Sequence, residues 1–346
     1  MKWITYIILL ISLCTTPVHA VSLDPPAPPE DALQSMPVTQ KSFAEDLWYV
    51  LRSALDDVSP HFAQGVKLCM SVMAVAMLTS VVNVFPAQNH SVTELCGGLV
   101  IATAFLSQAG AMIRMASDTV TELSNYAKLL LPVIASAMVA QGGTTSSATL
   151  YTGTAIFNGI LCGLIRSVMI PMVYIFIVLA FGKCCIGDGV LDKLQNSAKW
   201  LVTWCLKIIL YVFTGYMTIT GVVSGATDQI ALKATKLTIS GMVPVVGNIL
   251  SDASEAVLVS ATTAKNVVGV YGAVAIIAIT AAPFLRIGIH HLLLKTTAGI
   301  CGIFGSKRIV GAIHDLSTAM GLLLAMTGTE CLLLLISVIC FMKGVG

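Results

Sequence analysis

Ser317 to Met342 reads STAMGLLLAMTGTECLLLLISVICFM, with Glu330 its one charged residue. As a helix this stretch is about 39 Å long, more than the ~30 Å hydrocarbon core of a bilayer. It is apolar on every side, so it needs lipid or other helices for cover. Similar stretches precede it at about 66–85, 95–113, 147–165, 167–182, 200–222, 256–282 and 284–304. The rest of the composition agrees. Of 346 residues, 56% are apolar and 10% charged, with a mean hydropathy of +0.90. Nineteen basic and 17 acidic side chains are too few to coat a soluble globule of this size. The net charge of +2 offers no field for nucleic acid. The reading is an all-α, polytopic integral membrane helical bundle with about seven to nine crossings.

The amino terminus has its own organisation. Residues 1–20 form a signal peptide: Lys2, an apolar stretch from Trp3 to Leu13, then Val18-His19-Ala20 as a cleavage site. An uncleaved anchor is the alternative. Residues 21–42 are a linker in which Pro25, Pro26, Pro28, Pro29 and Pro37 oppose helix and sheet and predict an extended, extracytoplasmic spacer. Over 43–63, Phe43, Leu47, Val50, Leu51 and Leu55 recur at helical spacing, with Glu45, Asp46, Arg52, Asp56 and Asp57 largely opposite. This is an amphipathic extracytoplasmic helix ending before Pro60. The membrane domain takes 64–346.

Two apolar pieces, 129–141 and 241–250, are too short to cross and contain Pro132 and Pro244. Both follow amphipathic lead-ins, Thr119–Lys128 and Asp228–Ser240. Short, broken pieces of this kind predict re-entrant or half-helices. Pro132 and Pro171 are 39 residues apart, as are Pro244 and Pro283. At the same offset of 112, Lys183 matches Lys295 and Gly187 matches Gly299. These coincidences point to a tandem repeat, 119–222 and 231–342. Overall identity at that offset is no higher than two apolar sequences share by chance.

Basic residues cluster in two loops, Lys183, Lys193 and Lys199, then Lys295, Lys307 and Arg308. Such loops favour the cytoplasm. Both fit there only if an even number of crossings separates them, and a re-entrant 241–250 would make the number odd.

No catalytic or metal constellation emerges. Most of the ten cysteines lie inside apolar stretches, where cysteine acts as a small hydrophobe. Phosphate-loop, zinc-protease and intramembrane-protease motifs are missing, so no cofactor is expected and the chain reads as a non-enzyme. Arg286, His290, His291 and Lys295 are candidates for a polar lining or interface. The alternative is an interfacial helix whose charges reach the headgroups. Gly241, Pro244, Gly247, Asn248, Ser251 and Asp252 are candidates for a re-entrant turn beside a conduit. Small residues at Thr152-Gly153-Thr154-Ala155, Gly159, Gly163, Gly269 and Gly272 allow close helix packing, within one chain or between subunits. Glu94, Glu122 and Glu330 lie near span ends. That scarcity of buried acid argues against the rival reading, a self-sufficient secondary transporter.

Three stretches carry a likeness: Gly241-Met242-Val243-Pro244-Val245-Val246-Gly247-Asn248-Ile249-Leu250-Ser251-Asp252-Ala253, Ala264-Lys265-Asn266-Val267-Val268-Gly269-Val270-Tyr271-Gly272, and Lys307-Arg308-Ile309-Val310 followed by Leu316. With the signal and the span order, the chain resembles the stage III sporulation protein AE family of endospore-forming bacteria. The resemblance implies a subunit of the channel-like complex in the mother-cell-derived outer forespore membrane. Its implied partners are the other stage III A proteins, including a cytoplasmic ATPase, and the forespore protein Q across the intermembrane space. The implied role is forespore maintenance and late sigma-factor activity.

Overall fold

The computed structural model describes residues 25–37, 43–84, 90–186, 189–242 and 247–343; for 84, 90–91, 184–186, 221–242, 247–259 and 261 only the course of the backbone is described. The signal peptide lies outside the described residues. Among those described there is helix and no strand. The elements are α1 (Glu30–Gln34), α2 (Phe43–Val84), α3 (His90–Ala140), α4 (Thr144–Leu164), a π-helical turn (Ile165–Met169), α5 (Ile170–Ile186), α6 (Gly189–Met242), α7 (Gly247–Phe304) and α8 (Lys307–Lys343). Six of the helical runs are long and apolar enough to cross a membrane: Phe43–Asn83, Val92–Ala140, Thr144–Lys183, Gly189–Thr220, Thr262–Phe304 and Lys307–Lys343.

Six among the described residues is fewer than the roughly seven to nine crossings expected, because neighbouring apolar stretches fuse. The pieces at 256–282 and 284–304 are one helix, α7, which continues through Pro283. The pieces at 147–165 and 167–182 are joined by the π turn just before Pro171. A proline ring has no N–H and clashes with the carbonyl four residues back. At Pro171 the wider π turn absorbs that clash without ending the helix. The piece at 129–141 is the last part of α3, which runs unbroken through Pro132. It is therefore no half-helix. Pro132 is exposed, which leaves its surroundings free to accommodate the ring.

The amphipathic segment also continues past its expected end, since α2 runs through an exposed Pro60 into the first apolar stretch. Its buried stripe is Asp46, Val50, Ala54 and Val58, while Phe43, Trp48 and Leu55 face outward. The exposed face also carries Glu45, Arg52, Asp56 and Asp57, so the apolar residues expected on one face are divided between two. The proline linker is not extended throughout: residues 30–36 lack proline, and α1 forms there with Ala32 and Met36 buried.

α8 is the hub of the bundle. It packs on α7, α3, α5, α6 and α4, with Ile309, Ile313, Leu316, Leu323, Met326 and Leu333 fully buried. α7 and α8 form an antiparallel hairpin. Gly328 lies against Phe284, Gly321 against His291 and Gly269 against Met342. α3 and α4 are joined by Gln141-Gly142-Gly143. Gly142 has φ 85, its N–H donates to the Val139 carbonyl (2.8 Å), and Gly143 N–H donates to Met138 (3.1 Å). This is the left-handed helix-end motif that glycine adopts without steric penalty.

Candidate functional site

Polar side chains gather at three places. The first is an open cavity of about 780 Å³ between α1, α2, α3 and α7. Asp31, Asp57, Asp118 and Glu122 meet Arg114 and Arg286 there. Arg286 Nη2 donates to Asp57 Oδ2 at 2.5 Å and ties α7 to α2. Glu122 is exposed at mid-helix and opens onto this cavity, away from any helix end. Pro283 and Ile279, whose carbonyl the proline leaves without its usual donor, also line the cavity.

The histidine pair works as the ~100° offset of adjacent helix residues requires. His290 turns to α3 and lies 2.6 Å from the Gln108 amide nitrogen. With that nitrogen as donor, His290 Nε2 accepts and Nδ1 donates to the Arg286 carbonyl at 2.8 Å. His291 turns to α8, where its Nδ1 donates to the Ser317 carbonyl (2.7 Å) and Ser317 Oγ donates back to the His291 carbonyl (3.1 Å). The structure does not bring the four candidates into one lining. Arg286 is in the cavity, His290 and His291 tie different helices, and the exposed Lys295 lies in a groove at one end of the bundle with Lys307 and His314.

That end is the second place. Lys183 Nζ reaches Asp192 Oδ1 (2.5 Å), Asp315 Oδ2 (2.7 Å) and Gln195 Oε1 (2.8 Å), which fastens α5 to α6 and α8. Arg308 Nη1 lies 3.2 Å from Glu94 Oε2 and ties α8 to α3. Lys193, Lys199 and Lys307 stay exposed. The two basic clusters therefore lie at the same end of the bundle, with two crossing helices between them. The turn candidates are placed less fully. Gly241 falls in the last turn of α6, and Gly247, Asn248, Ser251 and Asp252 in the first turns of α7; Pro244 lies outside the described residues.

The third place was not anticipated. Glu330 is well inside α8, 0% exposed, and neither carboxylate oxygen has a hydrogen-bond partner among the described residues. Sequence reasoning placed it near a span end. Asn158 Oδ1 on α4 and the Tyr126 hydroxyl on α3 are also buried and unpartnered. Thr154 of α4 and Ser337 of α8 share a hydrogen bond between their hydroxyls in the same interior. The available signal was the lone carboxyl in the apolar run quoted at the outset. Among the described residues no group of three or more His, Cys, Asp or Glu could hold a metal ion.

A helical bundle with six spanning runs among the described residues and glycine-mediated internal packing is a multi-pass membrane protein. The family model for stage III sporulation protein AE matches residues 33–344, and the chain belongs to that family. A curated relative, the stage III sporulation protein AE of Bacillus subtilis (strain 168), is 21% identical over 222 residues. That alignment covers 64% of this chain and 56% of the relative, so the chain spans little more than half of the relative's length. No solved structure matches.

Proposed function

We propose that the chain is a non-enzymatic membrane subunit of the transenvelope channel complex that joins mother cell and forespore, supporting forespore maintenance and late sigma-factor activity. The family match over residues 33–344 carries this reading. Its partners are the other stage III A proteins, including a cytoplasmic ATPase, with forespore protein Q across the intermembrane space, and its place is the outer forespore membrane. The basic end, with exposed Lys193, Lys199 and Lys307, is the cytoplasmic end and meets the ATPase side of the complex. Deleting the gene in its own sporulating host and restoring it with an epitope tag tests the reading. Late sigma-factor reporters in the forespore should fall on deletion and recover on restoration, and the tagged chain should co-isolate with the stage III A proteins. Normal reporter activity in the deletion strain contradicts the proposal.

The second reading, a self-sufficient secondary transporter, gains support from buried Glu330, since ion coupling uses intramembrane carboxylates. Uptake by the purified chain in liposomes, with no other protein present, would favour it.

A further inference from the structure

We propose that the α4–α8 interface is an exchangeable binding site for a small monovalent cation, H⁺ or Na⁺, held by the Glu330 carboxylate with Asn158 Oδ1. The placement follows from one fixed contact. Thr154 and Ser337 touch across the interface. Asn158 is one turn from Thr154 on the same face of α4, about 6 Å along the axis. Glu330 is two turns from Ser337 on the same face of α8, about 10.5 Å along its axis. The helices run antiparallel: α4 reverses α3 at Gly142, α7 also runs against α3, and α8 reverses α7. Both displacements therefore lead in one direction, leaving Asn158 and Glu330 within about 5 Å of each other in height. All four residues are 3% exposed or less.

The chemistry is one-sided. Glu330 offers two oxygens and Asn158 a third, and all three are buried without a donor. Leaving such acceptors empty in a low-dielectric interior is costly, most of all for a charge. A proton on the carboxyl supplies the missing donor. A sodium ion satisfies the same hard oxygen set. On the elements packed against α8, the titratable groups near this height include the Tyr126 hydroxyl, the thiols of Cys162, Cys205 and Cys331, and the exposed Glu122, Arg166, Lys207 and Tyr211. None of them reaches the Glu330 carboxylate with a hydrogen bond or ion pair. The π turn at Ile165–Met169 begins two turns beyond Asn158, and such turns recur where a helix serves a bound group. The site holds whether or not the chain acts within the sporulation complex.

The test uses the full chain in lipid nanodiscs. Its thermal unfolding midpoint is measured against pH at constant choline chloride, and against NaCl replacing choline at constant pH. Wild type should gain stability as the bound cation becomes more concentrated. Glu330→Gln, a neutral isostere, should fold and lose that gain; Asn158→Leu should fold and show it reduced. A gain on acidification alone assigns the proton, and a gain with NaCl assigns sodium. Dicyclohexylcarbodiimide, with peptide mass spectrometry, then checks the position: the Glu330 adduct should increase on acidification or decrease with NaCl. If the pH and salt responses of Glu330→Gln equal those of wild type, the proposal is overturned.

Discussion

Gly153 shows what one missing side chain does in this bundle. A Cβ there would run into the Tyr216 ring, and Tyr216 also donates to the Thr149 carbonyl at 3.0 Å, so α4 and α6 meet ring against backbone. Gly153→Leu should destabilise the fold by about 1–3 kcal/mol, read as a lower thermal midpoint in detergent. Gly159→Leu should leave stability within about 0.5 kcal/mol, because nothing lies within 4 Å of a Cβ at Gly159. Equal losses in the two variants would contradict the packing described. The sequence marked both glycines as small, yet it could not rank them, since spacing alone does not say which face meets a ring. Glu330 was hidden for a related reason. α8 is apolar all round, so no periodicity tells its inner face from its outer one. The acid's identity was plain in the sequence, but its burial was not.

Between residue and bundle, the helices owe their length to tolerated breaks. Pro60, Pro132 and Pro283 all lie inside continuous helices. Proline was expected to divide these segments because an isolated helix loses a hydrogen bond at each one. Packing along the whole length of a neighbour offsets that loss, and such packing cannot be read from local propensity. The apolar spans were legible; their fusion into fewer, longer helices was not, nor was the place of Lys183, Lys193, Lys199, Lys295, Lys307 and Arg308, which lie on helices and not in loops, nor the outward turn of Phe43 and Leu55. The fastening of α5 to α8 is a property of this scale. Lys183 and Asp315 are 21% and 14% exposed, so removing one partner leaves the other poorly solvated. Lys183→Met should lower stability by about 1.5–3 kcal/mol. Adding Asp315→Leu should then cost less than it does alone. Strict additivity in this double-mutant cycle would show that the pair is not coupled.

Taken whole, the bundle has two ends. The α3–α4 turn and the last residues of α8 belong to one end, and the α7–α8 turn, the end of α5 and the start of α6 to the other. In each of the two candidate repeat units basic residues flank the start of the last helix: Lys183 on α5 with Lys193 on α6, and Lys295 on α7 with Lys307 on α8. In the proposed orientation, the end at which Lys193, Lys199, Lys295 and Lys307 are exposed faces the cytoplasm, as the positive-inside rule favours. Every spanning run is longer than the ~20 residues a bilayer needs, so each has turns beyond the hydrocarbon.

Membrane-impermeant thiol labelling of single cysteines, in a cysteine-free background, tests this orientation most directly. Lys193→Cys and Lys307→Cys should be unreactive in intact cells and react once the membrane is opened. Thr144→Cys, one crossing away, should react from outside at once. Labelling of positions 193 and 307 from opposite faces would contradict a six-crossing bundle with one basic, cytoplasmic end.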